Sequence, residues 1–211
     1  MENKLSNKKV AILVADGFEE VEFTKPLEAL KNAGAEVDVV SLHDGEVKAW
    51  AEKDWGNSYP VTLTVSDANA KDYDALVLPG GVMNPDHLRE NQEAVNFVSG
   101  FFDDSKPIAA ICHGPWTLIE TGELKGRRVT SYPSLKTDLV NAGANWVDEE
   151  VVVDNGLVTS RNPLAGKWWK RLEKVFTPEQ ACKKESGQYR RDSSLLLPTF
   201  YYFWKEPALI Y

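Results

Sequence analysis

Three short apolar runs set the fold class: Lys9 to Ala15 (KVAILVA), Ala75 to Leu78 (ALVL) and Pro107 to Ile111 (PIAAI). A strand with one wet face alternates apolar and polar residues, so a run without alternation marks a strand buried on both faces. Each run stops at turn-forming or small polar residues: Asp16-Gly17, Pro79-Gly80-Gly81 and Cys112-His113-Gly114. After the first run, Glu22 to Asn32 has helical spacing, with Phe23, Leu27 and Leu30 on one side and Gly34 placed as a C-cap. Glu36 to Leu42 (EVDVVSL) then reads as the next strand. A β-α-β beginning with short connections is the mark of an α/β fold with an open, mostly parallel sheet. The first turn is not GxGxxG, so the dinucleotide fingerprint is absent.

Further along, Glu46 to Trp50 and Val61 to Val65 alternate enough for short strands, with an excursion around Trp55-Gly56. Pro85 to Phe102 reads as one helix with Leu88, Val95, Phe97 and Val98 inward. Trp116 to Glu120 starts a helix directly after the cysteine strand, and Arg128 to Ser131 is a short strand. Ser134 is placed to cap a helix running through Val140 and ended by Gly143. Glu150 to Val153 and Leu157 to Ser160 flank Asp154-Asn155-Gly156, a strong hairpin signal.

The chain of 211 residues divides at about residue 163 by composition. Residues 164–211 carry three of the seven tryptophans and a net charge of +4, against −12 for residues 1–163. Within this basic, aromatic segment Trp168 to Phe176 spaces as a short helix, and Leu195 to Trp204 reads as a strand, a partner-binding segment or an unselected tail. The overall charge of −8 argues against a nucleic-acid binder. No apolar run approaches the length of a membrane helix, the N-terminus lacks a secretion signal, and two cysteines are too few for a disulfide framework. These features lead us to expect a cytoplasmic protein.

Cys112 carries the chemistry. A side chain between a strand and an immediately following helix is held out at the positive end of the helix dipole, beside free N–H groups. A cysteine there is expected to have a depressed pKa and to act as a thiolate, the sulfur counterpart of a serine nucleophile elbow. A buried structural cysteine is the alternative, and His113, Gly114 and Pro115 count against it. Ligand sites of open α/β sheets lie beyond the C-terminal strand ends, so Cys112 should meet the acids of Asp16-Gly17-Phe18-Glu19-Glu20-Val21-Glu22 and the Pro79-Gly80-Gly81 turn. A carboxylic acid facing the thiol should share a proton with it. The N–H groups of Gly81 and His113 would suit an oxyanion hole, and Phe18 and Trp116 would bound a small pocket. No Cys/His cluster has zinc spacing.

The ordered segments DGFEEVE, ALVLPGG, AAICHGP, VTSYPSLKTDLVNAGA and WVDEEVVVDNGLVTSRNP resemble the ThiJ/PfpI superfamily, in particular its PfpI-like protease/glyoxalase branch within the class I glutamine amidotransferase-like fold. The resemblance runs from about Lys9 to Pro163 and implies residues 1–163 as the PfpI-like domain, with 164–211 departing from the family. It implies a flavodoxin-like three-layer sandwich, a homodimer or larger homo-oligomer, and no metal or organic cofactor. By position it makes Cys112 the nucleophile, Glu22 the acid bonded to its thiol, Glu19 a member of the same pocket and His113 the histidine after the cysteine. Asp86 falls where relatives place an acid that completes a Cys-His-acid triad across a subunit interface. Tyr132 stands where one branch has a pocket histidine. Glutamine amidotransferases proper need a later histidine, and only His43, His87 and His113 are present. What this implies first is a cysteine-dependent, stress-protective enzyme acting on reactive carbonyls, of glutathione-independent glyoxalase or deglycase type. An intracellular cysteine peptidase, a redox sensor or chaperone-like stress protein, and a pseudo-enzyme are the other readings.

Overall fold

The computed structural model describes residues 5–163 and Phe176. Elements run β1 (Lys9–Val14), β2 (Phe18–Glu19), α1 (Glu20–Asn32), β3 (Glu36–Ser41), β4 (Glu46–Ala51), β5 (Asp54–Pro60), β6 (Leu63–Thr64) and β7 (Ala75–Leu78). They continue with α2 (Met83–Glu90), α3 (Gln92–Asp103), β8 (Ile108–Ile111), α4 (Pro115–Leu118), β9 (Arg128–Val129), α5 (Lys136–Asn141), β10 (Asn145–Trp146), β11 (Val151–Asp154) and β12 (Leu157–Ser160). Apart from Phe176, the aromatic segment expected after residue 163 lies outside the described residues, as does its Leu195 to Trp204 run.

The main sheet has seven strands in the order β11-β12-β8-β7-β1-β3-β6. Every neighbouring pair is parallel except β11 with β12. The three unbroken apolar runs are its centre, and they bury alternate residues on opposite faces. From β1, Val10, Ile12 and Val14 enter one core with Phe23 and Leu30 of α1. Ala11 and Leu13 enter the other with Leu88 of α2, Phe97 and Phe101 of α3, and Leu139 of α5. This is the three-layer α/β sandwich that the sequence implies.

Two expectations shift. The single helix over Pro85 to Phe102 is two helices, because Asn91 leaves helical geometry and its side chain accepts the Ala94 N–H at 2.9 Å. The apolar spacing continues across this cap, so periodicity alone could not show it. Ser134 does not cap a helix; α5 begins two residues later with no side-chain cap. The Asn155-Gly156 turn is as read: both residues have positive φ, which a two-residue hairpin of this twist requires.

A smaller sheet, β2-β4-β5, is tied to the C-terminal strand ends of the main one, where the Gly17 N–H donates to Lys48 O and the Glu19 N–H to Gly80 O. It is fastened to α1 by Glu20, whose Oε1 accepts from the Asn57 N–H, Asn57 Nδ2 and the Tyr59 hydroxyl, the last at 2.6 Å. These donors hold the Glu20 carboxyl below its usual pKa, Tyr59 foremost. Asn84, fully buried at the start of α2, joins the strand ends. Its Oδ1 accepts the Ala15 N–H at 2.7 Å, and its Nδ2 donates to the carbonyls of Pro79 and Gly80. Among the described residues no helix is long and apolar enough to cross a membrane.

Phe101 is fully buried against Tyr73 and Phe97. Phe101→Ala should therefore cost roughly 3–5 kcal/mol in urea unfolding. Asn84→Ala strands the Ala15 N–H and should cost roughly 1–3 kcal/mol, while loosening the register between the ends of β1 and β7.

Candidate active site

The site lies where an open α/β sheet places ligands, beyond the C-terminal ends of β1, β7 and β8. Cys112 follows β8 directly with φ of 58°, in the left-handed region that side chains other than glycine rarely occupy. Such strain persists only where the surroundings impose it. Here the Cys112 N–H donates to Ser160 O of β12 at 2.8 Å, and its carbonyl accepts the Tyr132 N–H at 2.8 Å. The Gly114 N–H turns back to Ile111 O at 2.7 Å, and Pro115 opens α4. This is the elbow read from the sequence.

Glu22, on α1, is 1% exposed. Its Oε2 accepts the Gly80 N–H at 2.7 Å, and its carboxyl hydrogen-bonds with the Cys112 thiol. A Cβ at Gly80 would fall 2.6 Å from that carboxyl oxygen and 2.8 Å from the His113 nitrogen, so only glycine fits. Burial pushes the Glu22 pKa up to about 8, outweighing the Gly80 and Cys112 hydrogen bonds. At neutral pH the carboxyl therefore keeps its proton and has one to donate.

The expected low thiol pKa is not what the structure gives. Cys112 is only 8% exposed, and desolvation pushes its pKa up strongly; once Glu22 loses its proton, the carboxylate's charge and hydrogen bond push it further. The His113 N–H is a weaker opposing influence. The helix after it has four residues, too short a dipole to offset burial. A thiolate in this setting needs a proton donor at Glu22 or a proton acceptor nearby.

His113 supplies the acceptor geometry. Its Nδ1 is 3.3 Å from Cys112 Sγ, its Nε2 is 3.2 Å from Ser134 Oγ, and its ring stacks on Tyr132 at 4.7 Å between centroids. Burial lowers its pKa, favouring the neutral imidazole. With Nε2–H donated to Ser134, Nδ1 is free to accept from the thiol. Ser134, read as a helix cap, is thus a partner of the histidine, and Tyr132 is its stacking platform.

Cys112, His113, Glu22, Glu19 and Gly81 line one crevice of about 380 Å³. The remainder of its wall is Gly17, Trp50, Val82 and Met83. Phe18 and Trp116 do not bound it. Adjacent residues of a strand point to opposite faces, so with Glu19 on the crevice side Phe18 turns into the core against Phe23 and Tyr59. Trp116 packs toward α2 and lies under the Arg89 guanidinium, 4.7 Å from the ring centroid. Trp50 was not singled out by sequence reasoning; its register partner Glu19 lies thirty-one positions earlier, and no local pattern links them. Asp86 and His87 are exposed on α2 and do not enter the crevice of their own chain.

The model for the DJ-1/PfpI family matches residues 8–171. The chain is similar to the putative cysteine protease YraA of Bacillus subtilis, 43% identical over 157 residues, covering 74% of this chain and 90% of that one. It is similar to deglycase PH1704 of Pyrococcus horikoshii, 45% identical over 163 residues, covering 77% and 95%. A solved two-domain protein from Anabaena variabilis, with DJ-1/ThiJ/PfpI-like and ferritin-like domains, superposes at a TM-score of 0.74 with 39% identity. That match covers 80% of this chain and half of the two-domain one. Sequence match, sheet order and strand-end geometry agree, and the chain belongs to the DJ-1/PfpI family.

Proposed function

We propose that the protein is a stress-protective enzyme that uses Cys112 to process reactive carbonyls without glutathione, as a glyoxalase or deglycase. The observation that carries this reading is the position of Cys112 Sγ between a neutral imidazole nitrogen at 3.3 Å and a buried, protonated carboxyl. A small dicarbonyl such as methylglyoxal fits the crevice. The thiol adds to its aldehyde carbon, His113 takes the thiol proton, and the carbonyl oxygen gains a proton to give a hemithioacetal. Gly81 and His113 N–H groups stabilise the developing oxyanion. Moving a proton from the former aldehyde carbon to its neighbour, through Glu22 or His113, gives a lactoyl thioester. Water then releases lactate and restores the thiol. Hydrolysis of a carbonyl adduct on a protein amine begins with the same addition, and the similarity to a deglycase supports that branch.

A peptidase is the second reading, favoured by the similarity to a putative cysteine protease. It requires Asp86 of a second copy to reach His113, since Asp86 stands exposed on α2. A redox sensor differs from both in being modified once rather than cycling.

The deciding assay is methylglyoxal consumption with lactate detection, glutathione absent. The wild type should turn over many times, and Cys112→Ala should lose activity completely. A folded wild type that makes no lactate removes the glyoxalase reading. Glu22→Gln should lower kcat/KM by roughly 10²–10⁴-fold, the range for a lost acid–base group.

Glu22 also predicts a stability profile. Its folded pKa of about 8 lies above its ordinary 4.5. The folded state therefore holds a proton that the unfolded state releases, and stability falls as pH rises between those values, then levels above 8. In urea unfolding across that range, Glu22→Gln should lack this decline and gain on the wild type as pH rises.

A further inference from the structure

The crevice at Cys112 has a wall that the reaction outlined above does not use. Glu19 and Trp50 are register partners on the parallel strands β2 and β4, so their side chains emerge on the same face, and both line the crevice. A carboxylate beside an indole face is a pairing that attracts cations and repels anions. We propose that this Glu19–Trp50 wall selects substrates by charge, admitting carbonyls on neutral or cationic carriers and turning away anionic ones. The proposal rests on the reading of Cys112 as the reactive centre of the crevice.

Several observations converge on it. Among the described residues, no Lys or Arg lines the crevice. His113 is held neutral by burial, so it supplies no compensating charge. Lys48, on the same face of β4, places its ammonium 5.4 Å from the centroid of Trp55, outside the crevice lining. Glu19 itself stands among acids. Its carboxyl accepts the Glu52 N–H, while partial burial and the charges of Glu52 and Glu20 raise its pKa. The side chains of Val82 and Met83 add apolar surface and carry no charge. The wall is also firmly held: Glu20 anchors the hairpin of β4 and β5 to α1, and Trp50 stacks edge-on against Trp55 at 5.7 Å. The substrate class this selects is a carbonyl linked to an amine or guanidine, or a neutral dicarbonyl. Keto acids and phosphorylated sugars are disfavoured, because no cationic side chain in the crevice offsets their charge.

Reagents matched in shape but opposite in charge test this without any turnover. Methanethiosulfonates react with a thiol to form a disulfide and release methanesulfinate, the thiol proton passing to solvent. The rate of Cys112 modification is measured with the trimethylammonium-ethyl and the sulfonatoethyl reagents at neutral pH, by mass of the Cys112 peptide, and each rate is divided by that of free 2-mercaptoethanol. The cation-to-anion ratio should exceed the free-thiol ratio by about tenfold or more for one nearby charge in a partly desolvated site. Because the ratio is the readout, a general change in thiol reactivity cancels. Glu19→Gln should reduce it several-fold and Glu19→Lys should invert it. In the unaltered protein it should collapse toward the free-thiol ratio in about 1 M salt, where the screening length is about 3 Å. A wild-type ratio equal to that of the free thiol, or one unmoved by both salt and Glu19→Gln, overturns the proposal. The methylglyoxal assay stands apart from this measurement, so failure of carbonyl turnover and failure of charge selection are separately visible.

Discussion

The left-handed backbone at Cys112 is the constraint on which the site depends. A cysteine at φ of 58° costs conformational energy, and the strand on one side and the loop on the other impose it. β12 takes the Cys112 N–H through Ser160, and the segment leaving β9 returns to give the Tyr132 N–H to the Cys112 carbonyl. The hairpin of β11 and β12, formed late in the chain, therefore sets the angle of a side chain nearly fifty residues earlier. Its tight Asn155-Gly156 turn bears on the elbow at the opposite end of the sheet, because the Gly156 carbonyl accepts the Ile108 N–H at 3.1 Å and begins the register that brings Ser160 alongside Ile111.

Burial then decides the protonation. Water is excluded from Glu22 and nearly so from Cys112, and desolvation opposes ionisation of both. The sequence-based expectation of a low thiol pKa rested on the helix dipole, and a four-residue helix is too weak against that desolvation. The consequence is a resting pair that keeps its protons and a neutral histidine poised at one edge of the sulfur.

What could be read in the sequence follows the range of the forces involved. The central strands, the elbow and the Asn155-Gly156 turn are written in contiguous residues: apolar runs, a small residue before a helix, a pair suited to positive φ. The acidic run after β1 and the Gly80-Gly81 turn could be brought to the site because both stand at strand ends that an open sheet must bring together, and the family resemblance singled out Glu22 within the run. Phe18 was misplaced because a two-residue strand gives no alternation from which to tell its faces; only pairing with β4 fixes Glu19 outward and Phe18 inward. Trp116 was misplaced because a tryptophan next to a nucleophile carries no sign of which way a short helix turns it, and Arg89 of α2 settles that. Asn84 gave no signal, since its role is to tie the nearby Pro79-Gly80 turn to Ala15, which is distant in sequence.

The acidic run after β1 shows how one local pattern divides into separate tasks once the fold imposes its geometry. Glu19, Glu20 and Glu22 are nearly consecutive, and by composition they form one solvated helix start. Strand pairing turns Glu19 into the crevice, the hairpin claims Glu20 as its anchor through Tyr59 and Asn57, and the helix rotates Glu22 inward to Gly80 and the thiol. Their pKa values move apart because their surroundings differ: Glu20 gains donors and goes down, Glu22 loses water and goes up, and Glu19 rises through partial burial, with like charges adding to it. One carboxyl holds the architecture, one holds a proton for the sulfur, and the third is left to face whatever enters. The division is a property of backbone placement, since the three side chains are identical and only their surroundings distinguish them.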